Sequence, residues 1–108
     1  MSEYRYKIRF ISESDHLVFI ESSAGQQDFD DSESFIHLLS VVKSRLGGNI
    51  RNIGWCQYLF ENDEHGLIFQ WDDLFGIVII YPDGIKEEQA VAIICDYFRE
   101  SFEEKIRL

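Results

Sequence analysis

Apolar and polar positions alternate along residues 4–11: Tyr4, Tyr6, Ile8 and Phe10 fall on one side, Arg5, Lys7 and Arg9 on the other. A period of two is that of a strand with one buried face and one basic, solvated face. Residues 12–16 are polar and read as a turn. Residues 17–21, rich in branched and aromatic side chains, read as the hairpin partner. No period runs through 22–34. At its end Asp30 stands three residues before Glu33, the spacing of a capping box, which predicts a helix starting near Asp31. Phe35, Leu38, Leu39, Val42 and Leu46 then repeat at helical spacing. Lys43 and Arg45 suit the negative end of that helix, and Gly47-Gly48 supplies a left-handed stop.

The second half of the chain is strand-like first and helical last. Residues 49–60 read as one strand, with Gly54 hinting at a bulge or a close backbone approach. A turn is expected over 61–66 and a further strand over 67–71, which Asp72-Asp73 interrupts. Residues 75–81 are an unbroken apolar run, the pattern of a central strand buried on both faces. Pro82 and Gly84 place a tight turn over 81–84. From 86 to 106 the inner stripe is Val91, Ile94, Tyr97 or Phe98, Phe102 and Ile106. Glu87 and Glu88 stand near the positive end of this helix, and Lys105 and Arg107 near the negative one.

The resulting order is ββαβββα. It predicts a single α+β domain over 1–108, built as a mostly antiparallel five-stranded sheet with two helices packed on one face.

Composition changes the picture mainly through charge. The 108 residues carry 20 acids and 10 bases, a net charge of -10, while 45% hydrophobic residues allow a real core. Twelve of the acids, against four bases, lie from Asn52 onward, so most of the excess is in that half. So negative a surface disfavours nucleic acid and anionic lipid and favours encounter with a cationic protein. The N-terminus lacks the layout of a signal peptide, and no apolar run approaches the ~20 residues that span a bilayer. The expectation is a cytoplasmic protein that meets no membrane.

Catalytic and metal chemistry find little to stand on. The chain has no nucleophile elbow, phosphate-binding glycine loop or H-E-x-x-H. His16, His37 and His65 share no ligand spacing. Cys56 and Cys95 are too few for a disulfide scaffold or structural zinc, and their apolar neighbours blunt thiol reactivity, although a Cys–His pair meeting in space stays open. A calcium loop counted from Asp28 needs glycine where Glu33 stands and glutamate where Leu39 stands. The reading is a non-enzyme with no cofactor and no metal. The acidic stretch fits a protein-binding surface better. Asp28, Phe29, Asp30, Asp31 and Glu33 set an aromatic anchor among carboxylates, and Asp72 and Asp73 raise the same possibility at another turn. A solvated loop with a helix cap is the plainer alternative.

With the ββαβββα order and the segment W-D-D-L-F-G-I-V-I-I-Y-P-D-G in view, the chain resembles the small bacterial immunity proteins. These are encoded beside polymorphic toxins, including those of contact-dependent growth inhibition systems. The resemblance is one of size, charge and layout over the whole chain. It implies a cytoplasmic inhibitor, monomeric or weakly dimeric, that binds one cognate toxin domain and blocks it. Nuclease toxins need positive clefts, to which a carboxylate-rich inhibitor is complementary. The competing expectation is a self-associating structural or adaptor domain in which exposed apolar surface pairs two copies.

Overall fold

Branched apolar residues at consecutive positions leave a strand no polar face, and the run at 77–79 lies in the middle of the sheet. The computed structural model describes residues 6–22 and 32–98. Its elements are β1 (Tyr6–Ser12), β2 (Leu17–Ser22), α1 (Ser32–Leu46), β3 (Ile50–Gly54), β4 (Gln57–Phe60), β5 (Ile68–Asp72), β6 (Gly76–Ile80) and α2 (Glu87–Phe98). The strands form one antiparallel sheet in the spatial order β1-β2-β6-β5-β4-β3. Ile77, Val78 and Ile79 of β6 are all buried between β2 and β5.

The sheet has six strands rather than the five expected, because residues 49–60 are a hairpin. β3 and β4 join through Trp55 and Cys56, bracketed by the Gly54–Gln57 pair. Cys56 has φ 54°, in the left-handed region normally filled by Gly or Asn in a tight turn. No residue in this turn is a usual turn former, so nothing local announces the reversal. The irregularity that Gly54 suggests is present as a register shift between Asn52 and Gly54.

A second correction concerns β1. Its pairing with β2 shifts between Ile8 and Phe10, so Arg9 is the extra residue of a β-bulge. Ile8 lies opposite Ile20 and Phe10 opposite Phe19. Directly paired residues share a face and consecutive ones alternate, so Ile8 and Phe10 stand on opposite faces. Ile11, opposite Val18, returns to the side of Ile8.

One face of the sheet joins the helices. Its rows run Val18, Ile79, Phe69, Tyr58 and Ile20, Ile77, Trp71. All of these belong to, or pack against, a single buried cluster, which also holds Phe35, Leu38 and Val42 of α1 and Ala90, Ile94 and Phe98 of α2. α1 packs on α2 and reaches β5. Phe60 and Phe69 meet edge to face at 5.0 Å, and Tyr6 leans on Phe98 at 5.4 Å. Truncating a fully buried member such as Ile94 to Ala costs about 2–5 kcal/mol.

The end of α1 and the start of α2 carry the stop and the turn that their sequences suggest. Gly47 and Gly48 have φ 76° and 77°; Gly47 N–H donates to Lys43 O at 2.7 Å, and Asn62 Nδ2 donates to Leu46 O at 3.2 Å. Ahead of α2 the turn begins one residue later than expected, with Ile85 N–H donating to Pro82 O at 3.1 Å. Lys86 N–H then donates to Gln89 Oε1 at 3.0 Å, half of a capping box. The expected stretch from 99 to 106, with Phe102, Lys105, Ile106 and Arg107, lies outside the described residues, as do Tyr4, Arg5 and Asp30. Among the described residues no helix is long and apolar enough to cross a membrane.

Candidate interaction surface

An antiparallel sheet with one covered face usually turns polar side chains outward on the other. Here the outward rows are apolar as well. One runs Leu17, Ile80, Ile68, Leu59 and ends at Arg51; the next runs Phe10, Phe19, Val78, Gln70, Gln57. Leu17, Phe19, Leu59, Ile68 and Ile80 are half-buried, and none belongs to the core cluster. No helix or strand among the described residues packs over this face. Toward β4 the second row ends in one polar pair, Gln57 Nε2 donating to Gln70 Oε1 at 2.6 Å.

Toward the turns this face becomes aromatic. Phe10 and Phe75 both approach the ring of Phe19, at 5.6 and 5.9 Å, and remain 57% and 54% exposed. The bulge residue Arg9 caps the group: its guanidinium lies 5.5 Å from the Phe19 centroid, and its Nη2 donates to Phe75 O at 3.2 Å.

Two turns share this end of the sheet, since Trp71 N–H donates to Cys56 O at 3.1 Å and Asp72 pairs with Gly76. Asp72 Oδ1 accepts from Leu74 N–H at 2.7 Å and from Phe75 N–H at 3.2 Å. That is an Asx-type turn, in which a short carboxylate replaces a backbone acceptor. It lifts Leu74 out to 82% exposure beside the exposed Asp73, and Trp55 on the adjacent turn is 75% exposed. Two large apolar side chains therefore stand at one end of the sheet with two carboxylates.

The groups that carry chemistry elsewhere are engaged structurally. Asp63 is buried at the opening of the turn before β5, where Oδ1 accepts from His65 N–H at 2.9 Å and Oδ2 from Leu67 N–H at 3.0 Å. Tyr97 O–H also donates to Oδ1, at 2.5 Å. Burial, then the bond to Asp63 and its charge, raise the Tyr97 pKa above the usual phenol value. Tyr6 O–H donates to Ser34 O at 2.8 Å, which leaves its oxygen to accept from His37 Nδ1 at 2.8 Å. His16, in the left-handed region at φ 61°, stacks on Tyr81 at 4.9 Å, with Nδ1 3.3 Å from Tyr81 O and 3.5 Å from Asp83 Oδ1. The Tyr81 hydroxyl and the Trp71 indole N–H are buried with no hydrogen-bond partner among the described residues. Among the described residues no three His, Cys, Asp or Glu side chains gather as a metal ion would require.

Of the residues singled out from sequence, Asp28, Phe29, Asp30 and Asp31 lie outside the described residues. Glu33 is exposed in the first turn of α1. The remaining two are Asp72 and Asp73. Those two stand together at the β5–β6 turn, Asp72 holding the turn and Asp73 exposed. Sequence reasoning passed over Trp55, Leu74 and the Phe10–Phe19–Phe75 group. Leu74-Phe75 directly after Asp72-Asp73 is a signal that could have found part of it. No family model, curated protein or solved structure matches this chain.

Proposed function

We propose that this chain is a toxin-neutralising immunity protein, a non-enzymatic cytoplasmic domain that binds a basic, nuclease-type toxin domain and blocks its activity. The observation that carries the reading is the turn end of the sheet. There Trp55 and Leu74 offer apolar anchors beside Asp72 and Asp73, on a chain of net charge -10. An exposed apolar anchor rimmed by carboxylates fits a basic cleft with a hydrophobic floor. The anchor supplies affinity, and the surrounding charge supplies rate and specificity. The acidic stretch 28–33, with Glu33 at its end, adds to the same field. Engagement of the histidines and Asp63 in turns and packing is in keeping with a binding role rather than a catalytic one.

The reading expects a large secreted protein with a variable C-terminal domain to be encoded immediately upstream, and the test is biosensor binding of that domain. The unmodified chain should bind it, with an association rate that falls as salt is raised. Asp73→Lys should slow association, and Leu74→Ser with Trp55→Ala should speed dissociation, all with unchanged circular dichroism. Charge reversal at Asp28, Asp30 and Asp31 measures the share of that loop. Binding unaltered by every one of these changes would remove both acidic segments from the proposal.

A further inference from the structure

We propose that the outer face of the sheet is the contact by which two copies of this chain pair, face to face. The face is apolar along most of both rows and stands apart from the core cluster. Continuous apolar patches of this kind mark interaction sites on soluble domains.

Charge selects the occupant. Among the described residues there are six Lys and Arg, and three of them, Lys7, Arg9 and Arg51, project from this one face. Thirteen acids lie in the same residues, but only Glu21 and Asp72 occupy strand positions, and both fall on this face too. The patch therefore holds three cations against two acids on a molecule that is otherwise strongly negative. A basic partner gains nothing from meeting Arg9 and Arg51. Two identical chains of charge -10 repel through an excess of acids elsewhere, whereas this sheet face, among the described residues, offers both signs around a largely apolar patch. A self-complementary patch is what a two-fold pair of copies requires. This surface adjoins the acidic turn tip and shares Asp72 with it, but its apolar rows and its cations lie outside that tip, so the inference does not rest on the toxin-binding reading.

Sedimentation equilibrium of the full chain from 1 to 100 µM, with no partner present, tests it. The expected mass is twice 12.7 kDa at the upper concentrations. Phe10→Glu, at an exposed position, should raise the dimer Kd at least tenfold with an unchanged circular dichroism spectrum. Arg9→Glu with Lys7→Glu should do the same through charge, and decides the matter if Phe10→Glu folds poorly. Leu74→Ser at the turn tip should leave the dimer intact. A monomer throughout the range overturns the proposal. So does a dimer indifferent to both sets of changes, or one dispersed only by Leu74→Ser.

Discussion

The hydroxyl of Tyr97 on α2 reaches 34 positions back along the chain to donate a 2.5 Å hydrogen bond to Oδ1 of Asp63. The same carboxylate already holds His65 N–H and Leu67 N–H. One buried side chain thus shapes the turn ahead of β5 and fastens it to the last helix. Asp63→Ala strands three donors and should cost about 2–4 kcal/mol, whereas Tyr97→Phe removes one neutral donor and should cost about 1–2. Urea unfolding of the two variants gives the order, and a Tyr97→Phe loss as large as that of Asp63→Ala would contradict it.

Alkaline pH should destabilise the fold through two tyrosines. Burial raises the pKa of Tyr97, aided by Asp63, and that of Tyr81, aided by Glu87 and Glu13. In the unfolded chain both ionise near the ordinary phenol value of about 10. Above that pH the unfolded state has released protons the folded state still holds, so stability falls as pH rises toward the folded values. Unfolding midpoints should be flat up to about pH 9 and decline beyond it. Tyr97→Phe and Tyr81→Phe should each shallow the decline.

At neutral pH the two tyrosines should part company. The Tyr81 hydroxyl is buried without a hydrogen-bond partner among the described residues, so deleting it removes a desolvated group and none of the bonds described. Tyr81→Phe should be neutral or stabilising by up to about 1 kcal/mol, opposite in sign to Tyr97→Phe. A thermal midpoint several degrees lower would show that the hydroxyl has a partner after all.

Two left-handed positions carry opposite residue types and should respond oppositely. A Cβ on Gly48, at φ 77°, would meet the Asn62 side chain at 2.8 Å. Gly48→Ala should therefore cost about 1–2 kcal/mol. Cys56 already bears that strain at φ 54°, so Cys56→Gly should be neutral or gain up to about 1 kcal/mol after its entropy cost. Paired thermal melts read both.

The bulge predicts which single deletion the first strand tolerates. Without Arg9, Ile8 stays opposite Ile20 and Phe10 opposite Phe19, now in regular register. The domain should fold with a midpoint within a few degrees of the parent. Deleting Phe19 instead slides β2 by one residue and sends Val18 or Ile20 to the wrong face, which should abolish cooperative unfolding.

The sequence disclosed what was periodic or punctuated by glycine and proline. α1, its Gly47-Gly48 stop, the two-faced strand at 77–79 and the start of α2 all follow from local signals. The Trp55–Cys56 reversal did not, because a cysteine holds the left-handed position that composition assigns to glycine or asparagine. Phe10 was assigned to the wrong face because one extra residue, Arg9, inverts a perfect alternation without altering its appearance. The outer face was hidden for another reason: its members come one or two at a time from strands as far apart as Phe10 and Ile80, 70 positions, and only pairing aligns them. At the turn tip Asp72-Asp73 was legible as a polar break, while the exposure of Trp55 and Leu74 depends on an Asx turn and a neighbouring hairpin.

The register slips of β1 and β3 have a consequence for growth. These are the two outermost strands, and each is broken mid-length, between Ile8 and Phe10 and between Asn52 and Gly54. A further strand laid alongside either would lose its hydrogen-bond ladder at the slip, so the sheet is capped laterally at six. The proposed stacking would cover the apolar rows that the described strands turn outward. If two copies pair as proposed, assembly would therefore end at a pair of layers instead of running on into a fibril.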